Sequence, residues 1–217
     1  MSADCGCTDC CEEPVPVFLE GGGELAVELR ELAFGLLLRD RLPVPPAVLA
    51  ELAGADQPGV DTALDGLARD GRIDRDRRGQ VLGSAGLTLG DGPHGLEIEG
   101  NAFRTWCAFD ALGIPAALGA DARIATACAA CGRRIDVDLQ AGRPIGEAEA
   151  RLWLSSGGAD MRADFCTPTV LLCSDSHGRA WAERQAGRGR LLTLDEAADE
   201  GVRSWSSAAA TAVQLMS

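Results

Sequence analysis

Apolar residues recur at helical spacing in "ELAVELRELAFGLLL", residues 24–38, and predict a first helix there. "VPPAVLAELAG" predicts a second, begun by Pro45-Pro46 and stopped at Gly54. "PGVDTALDGLARDG" predicts a third, ending at Gly71. The pattern then switches to alternation in "RIDRDRRGQVLGSAGLTL", which turns at Arg78-Gly79 as a two-stranded wing would. "GDGPHG", residues 90–95, reads as a linker. Beyond it, "GNAFRTWCAFDALGIP" predicts a helix over 101–112, with Asn101 as its N-cap and Gly113 and Pro115 ending it. "ARIATAC" and "RRIDVDL" look like two strands joined through "AACG", and "EARLWLS" and "TVLLCSD" like further strands. "GRAWAERQ" and "LDEAADEGVRSW" close the chain as helices.

Three helices followed by a hairpin is the order of a winged helix. Strands mixed with helices, without a repeating βαβ unit, predict an α+β fold with a largely antiparallel sheet in the second half. The expected organisation is a flexible Cys-rich tail over 1–23, a winged-helix-like domain over 24–90 and a catalytic α+β core over 91–217. Neither a Gly-rich phosphate loop nor a nucleophile elbow occurs in the sequence.

Charge decides what the winged helix is not for. The formal net charge is -13, and all 20 basic residues are arginine. The third helix carries Asp61, Asp65 and Asp70 against Arg69, where phosphate neutralisation needs cations. A covering or structural role is expected instead, and nucleic acid is not an expected partner. No stretch approaches the roughly 18–20 apolar residues of a membrane span. "MSADCGCTDC" lacks the basic and apolar regions of a signal peptide, so the expected compartment is the cytoplasm.

Nine cysteines in a reducing compartment call for thiol or soft-metal chemistry rather than disulfides. On a wheel of about 100° per residue, Ala102, Phe103, Trp106 and Cys107 share a face, and Asp110 falls in its middle. A carboxylate on an apolar face costs several kcal/mol unless paired, hydrogen-bonded or neutralised. Burial raises its pKa, which makes it a proton donor one turn from a nucleophilic thiol. The bland alternative is a small core thiol beside a hydrogen-bonded aspartate. Cys128 and Cys131 form a C-x2-C knuckle that would need two further ligands to hold zinc. With no second C-x2-C at ribbon spacing, Cys128 is expected to be a core thiol. Cys173, inside a strand, is assigned to packing. Cys166 precedes an apolar strand in "DFCTPTVLLC", and alone it too would read as packing. Only two histidines occur, His94 in a Gly-Pro loop and His177 in "SDSHG", so a His-based metal site is not expected. Cys5, Cys7, Cys10 and Cys11 crowd the tail and could capture soft metal, or do nothing.

"TWCAFDALGIPAALGADARIATACAACG" resembles the signature segment of the organomercurial lyase (alkylmercury lyase) family, in which a W-C-A-x-D helix precedes an apolar Pro-containing run and a strand with a further cysteine. "DFCTPTVLLCSD" and "LLTLDEAADEGVRSW" resemble the family's second cysteine segment and helical tail, and the similarity runs from about Leu25 to Trp205. The resemblance implies that Cys107 and Cys166 bind mercury, that Asp110 handles the proton, and that Cys128 is a buried structural cysteine. Thr167 stands where some members have another cysteine, and the tail, Cys131 and Cys173 have no family role. The implied reaction is protonolysis of a carbon–mercury bond to a hydrocarbon and Hg(II), as in mercury detoxification. It needs no organic cofactor, but it needs external thiols to remove the product. Cellular thiols and mercuric reductase are the implied partners, and the tail thiols are candidates for handing Hg(II) on. Two other readings compete: a cysteine-based soft-metal carrier, and a metal-responsive regulator. Neither uses the acid at Asp110.

Overall fold

The computed structural model describes residues 23–185 and 187–217. Cys5, Cys7, Cys10 and Cys11, and the expected tail before Gly23, lie outside the described residues. Helices α1 (Glu24–Asp40), α2 (Pro46–Ala53) and α3 (Gln57–Arg69) occur where the periodicity puts them. Each owes its place to an apolar face: Leu29, Ala33, Phe34 and Leu37 of α1 are fully buried, as are Leu49 of α2 and Val60 and Leu64 of α3. Pro46 starts α2 at a position whose N–H is not needed, and Gly54, at φ +60°, stops it in the left-handed conformation.

Strands β1 (Ile73–Arg75) and β2 (Val81–Ser84) turn through Gly79, where the Asp76 carboxylate accepts from the N–H groups of Arg78 and Gln80. The hairpin does not stand alone. It runs on through β3 (Leu87–Thr88) into β4 (His94–Ile98), β5 (Asn101–Thr105), β6 (Ala122–Ala127), β7 (Arg134–Gln140) and β8 (Arg143–Ile145). These eight strands form one sheet in the order β1-β2-β3-β5-β4-β6-β7-β8, and every neighbouring pair is antiparallel. A second antiparallel sheet has the order β10-β9-β11, from β9 (Arg151–Ser155), β10 (Val170–Leu172) and β11 (Gly189–Thr193). Helices α4 (Ala108–Leu118), α5 (Asp175–Arg184), α6 (Leu194–Ser204) and α7 (Ser206–Met216), with a π-helical turn over Met161–Cys166, complete a mixed α+β fold.

Two expectations need correction. Residues 101–105 are strand β5, not the start of a helix, and the helix of this stretch runs over 108–118. Phe103 and Thr105 point into the core while Ala102 and Arg104 are exposed, and β5 bonds to β3 on one side and β4 on the other. Two ladders of backbone hydrogen bonds outweigh the local helical reading. Pro115 sits inside α4 rather than ending it, and Gly119, at φ +61°, is the cap. The segment expected to link the halves is also shorter than 90–95, because His94 and Gly95 pair in β4. Among the described residues, no helix is long and apolar enough to cross a membrane.

Helix α4 is buried from Ala108 to Ala116, and its closest neighbour is α6. The two helices meet at glycines: a Cβ on Gly201 would fall on the Cα of Gly113, and a Cβ on Gly113 would strike the ring of Trp205. The backbones can approach this closely only because neither residue has a side chain. Gly201→Ala is therefore expected to destabilise the protein by about 1–3 kcal/mol or more through overpacking. Gly66→Ala, in open space on α3, is expected instead to stabilise by about 0.5–1 kcal/mol through helix propensity. Urea denaturation of both variants checks the contrast, and a neutral Gly201→Ala would refute the close approach.

Candidate active site

The N-terminus of α4 carries an unusual cap. N-caps are normally Ser, Thr, Asp or Asn, whose oxygen accepts from the third helical N–H. Here Cys107 occupies the cap, and its sulfur accepts from the N–H of Asp110 at 3.4 Å. The Asp110 carboxylate reaches back and accepts from the Cys107 N–H at 2.8 Å. This is a capping box with a thiol in place of a hydroxyl. It explains how a carboxylate that is 4 % exposed is tolerated.

Cys166 comes from the far side, at the end of the π-helical turn, and is buried. The sulfurs of Cys107 and Cys166 and a carboxylate oxygen of Asp110 all lie within 4.8 Å of one another. Burial is the main influence on both ionisable groups of the cap. It pushes the Cys107 thiol well above its ordinary range, reinforced by a hydrogen bond with Cys166 and by the charge of Asp110. It raises Asp110 to about 6, against the opposing pull of hydrogen bonds from Cys107 and the more distant charge of Arg162. Near neutral pH the pair is a protonated thiol beside a carboxylate able to accept its proton and give it up again.

The walls are built by residues far apart in sequence. The Asp110 side chain lies against Gly86, whose φ of +91° and missing Cβ leave room for it. Phe109, next to Asp110, packs on Trp205 with ring centroids 5.1 Å apart, and the Trp205 indole N–H donates to the Ala85 carbonyl at 2.7 Å. Arg162, at the start of the π-helical turn, lies 3.3 Å over the Trp106 ring. It donates to the Gly71 carbonyl and to Asp74, at 2.6 and 2.8 Å. Asp74 also accepts from the Trp106 indole N–H at 2.7 Å. One carboxylate on β1 thus holds both the residue before Cys107 and the turn that presents Cys166. Asp74 and Arg162 are absent from the sequence reading because they are 88 residues apart and meet only in the fold.

Asp110 and Cys166 face a narrow space of about 20 Å³, walled also by Trp106, Met161, Phe165 and Trp205. That is room for a guest near the size of a water molecule. A wider cleft of about 550 Å³ shares Arg72, Met161, Arg162 and Phe165 with the site or its walls and is lined by none of Cys107, Asp110 and Cys166. The two spaces adjoin at Arg72, Met161 and Phe165, which line both.

The other singled-out residues lie elsewhere. His94 is not in a loop; it is buried in β4, its Nδ1 is 2.7 Å from the Thr126 hydroxyl, and burial, aided by Arg104, lowers it to about 4. Cys128 and Cys173 are buried as expected, yet neither is a plain core thiol. Cys128, Cys131, Cys173 and His177 come together, with their ligand atoms within 4.8 Å of one another. The structure thus gathers a histidine and three thiols into one group of possible metal ligands, an arrangement the expectation of no His-based site did not foresee. The two residues that join the C-x2-C knuckle are Cys173, which lies just past the end of β10 rather than inside a strand, and His177 of α5, and no spacing rule connects them to it.

Two thiols and a carboxyl group, buried together at a helix cap, make a cluster that could hold a soft metal ion beside a group of raised pKa. Residues 87–205 match the family model described as "MerB: Alkylmercury lyase", and the chain belongs to the alkylmercury lyase family. It is 36 % identical over 116 residues to the alkylmercury lyase of Pseudomonas putida, a match covering 52 % of this chain and 54 % of that protein. It is 29 % identical over 142 residues to that of Streptomyces lividans, covering 64 % and 66 %. The chain thus spans about half the length of the first of these relatives and about two thirds of the second. Its fold is similar to that of a solved structure titled the mercury-bound form of MerB2, with a TM-score of 0.76 at 23 % identity over 89 % of this chain and 95 % of that one.

The raised pKa of Asp110 makes a stability prediction. In the folded protein this carboxyl holds its proton up to about 6, against an ordinary value of 3.8. Its contribution is fully present below 3.8 and is lost as pH rises through about 6. At about 1.4 kcal/mol per tenfold change in proton affinity, the whole window is worth about 3 kcal/mol. Asp110→Asn removes the titration, so its stability relative to the parent is expected to climb between pH 4 and pH 6 (about that size in total) and then level off. Denaturant melts at several pH values measure this, and a difference that does not vary with pH would contradict it.

Proposed function

We propose that this chain cleaves the carbon–mercury bond of organomercurials by protonolysis, with Cys107 and Cys166 as the mercury ligands and Asp110 as the proton carrier. The observation that carries the reading is the meeting of two buried thiols and a carboxyl of raised pKa within 4.8 Å. Metal carriage requires the thiols alone. The acid is needed only if something must be protonated.

The chemistry follows from the groups present. Mercury(II) is soft and prefers few, thiolate ligands. The first cysteine attacks R–Hg–X and displaces X⁻, which leaves with that thiol's proton. The second thiol gives its proton to the Asp110 carboxylate as its sulfur binds mercury. Two thiolates push electron density onto the metal and make the attached carbon basic. Asp110 then delivers the proton to carbon, the carbon–mercury bond breaks, and a hydrocarbon leaves while Hg(II) remains on two sulfurs. The capping N–H of Cys107 keeps the carboxylate pointed at the cap throughout, and the low-dielectric surroundings keep its affinity for the proton high. External thiols, in the reducing cytoplasm, would take the metal off and pass it to a mercuric reductase. Cys5, Cys7, Cys10 and Cys11 are candidates for the same service.

Residues 24–90 are proposed to act as a winged-helix-like cover rather than a nucleic-acid reader. Their hairpin supplies Asp74, and the following turn supplies Gly86, to the walls of the site.

The test uses a chain whose four tail cysteines are serine, so that no tail thiol can substitute. With methylmercury and excess small thiol, methane is measured in the headspace. Cys107→Ser and Cys166→Ser are each expected to abolish release, since a single thiolate remains. Asp110→Asn is expected to keep Hg(II) binding and lose about 10²–10⁴-fold in rate, the usual worth of a positioned acid. Wild-type release from a serine variant would falsify that cysteine's role, and normal release from Asp110→Asn would make solvent the donor.

A further inference from the structure

We propose that Cys128, Cys131, Cys173 and His177 form a tetrahedral zinc site, separate from the mercury site, that pins strand β10 to the knuckle after β6. The site has its own ligands and does not depend on the lyase reading.

The geometry is the first argument. Cys131 Sγ and Cys173 Sγ are 3.7 Å apart, His177 Nδ1 is 3.3 Å from Cys173 Sγ, and it is 3.7 Å from Cys128 Sγ. Zinc bonds of about 2.3 Å to sulfur and about 2.0–2.1 Å to nitrogen, at tetrahedral angles, separate two sulfurs by about 3.8 Å and a sulfur from a nitrogen by about 3.6 Å. These three separations are close to the edge lengths of such a tetrahedron, and all four ligand atoms lie within 4.8 Å of one another. A disulfide is not the explanation for the sulfur pair, because it would bring the sulfurs to about 2.05 Å, and all of the described cysteines are free thiols.

The backbone is the second argument. Gly132, at φ +73°, turns the chain back after Cys131, so that its N–H donates to the Cys128 carbonyl and the Cys128 N–H to that of Arg133, both at 2.8 Å. The Cys173 N–H donates to the Cys128 sulfur at 3.4 Å, and the N–H groups of Ala130 and Cys131 also point at that sulfur. Backbone donors aimed at a sulfur favour the thiolate, which is the form that binds metal. His177 lies in the first turn of α5, where the Ser174 hydroxyl accepts from its N–H and fixes its approach.

Three thiolates and one imidazole suit zinc better than Hg(II). Cys₃His is an established closed set for structural zinc, whereas mercury gains little from a third and fourth ligand. The placement gives the site a task. The Leu171 carbonyl accepts from the Ala129 N–H in the knuckle at 3.1 Å, and two residues earlier the Thr169 carbonyl accepts from the Ala108 N–H at the start of α4, at 3.4 Å. A metal at the knuckle would hold the segment that runs from Cys166 through Thr169 to Cys173 in register with the helix that bears Cys107 and Asp110.

The experiment uses the full chain with Cys5, Cys7, Cys10 and Cys11 changed to serine, purified under reducing conditions and dialysed free of loose metal. Elemental analysis is expected to find one zinc per chain. Cobalt loading is expected to give the visible bands of tetrahedral, thiolate-bound cobalt. Cys131→Ser, at an exposed position, and His177→Ala are each expected to lose the zinc, while the double variant Cys107→Ser, Cys166→Ser retains it. Circular dichroism of the variants reports folding, and the cobalt spectrum of the otherwise unaltered chain stands even if one variant fails to fold. A chain without zinc and without the cobalt bands would overturn the proposal. So would undiminished zinc in a folded Cys131→Ser, or loss of zinc on changing Cys107 and Cys166.

Discussion

The N–H of Cys107 and the carboxylate of Asp110 hold each other at 2.8 Å in a place with almost no water, and the site around them depends on that bond. A buried carboxylate without partners would cost several kcal/mol. The open first turn of a helix offers N–H groups that also lack partners. Joining the two deficits satisfies both and leaves the acid with a pKa near 6, high enough to hold a proton and low enough to release one. Helix α4 can be buried on every side only because its polar start is closed in this way, and the close contact with α6 at Gly113 and Gly201 seals it further.

The second thiol reaches this cap through a different device. Cys166 ends a π-helical turn, a form that recurs at functional sites because it departs from regular packing. The turn is tied down at its beginning by Arg162, which stacks on Trp106 and pairs with Asp74. Both members of that ion pair are about one third exposed, so its Coulombic worth is modest. Its importance is geometric, since Asp74 also bonds the indole of the residue preceding Cys107. The N-terminal hairpin therefore helps to hold the walls of the candidate site through Asp74, although it supplies none of Cys107, Asp110 and Cys166. The segment that leaves Cys166 meets α4 at Thr169 and the cysteine–histidine cluster at Leu171 and Cys173. Two groups of thiols thus share one short run of chain, buried beside acid on one side and clustered near the surface on the other.

The sequence by itself determined the helices of the first 70 residues, the hairpin at Gly79, the mixed α+β character and the pair Cys107 and Asp110 as candidates, while Cys166, which alone reads as packing, joined them only through the family resemblance. Those features are written in local periodicity, in glycine and proline, and in a motif whose residues are close along the chain. What the sequence could not decide was every choice made by partners distant in sequence. Residues 101–105 have an apolar pattern compatible with a helix and became a strand because β3 and β4 were there to pair with them. Pro115 was a sound stop signal locally, and burial on all sides carried the helix through it. His177 and Cys173 look like ordinary residues until the fold sets them 49 and 45 positions away from Cys128 in sequence and within bonding reach of it in space. Local propensities are worth tenths of a kcal/mol per residue, and a ladder of backbone bonds or a buried charge is worth several times that. Where the two disagreed in this chain, the tertiary terms prevailed.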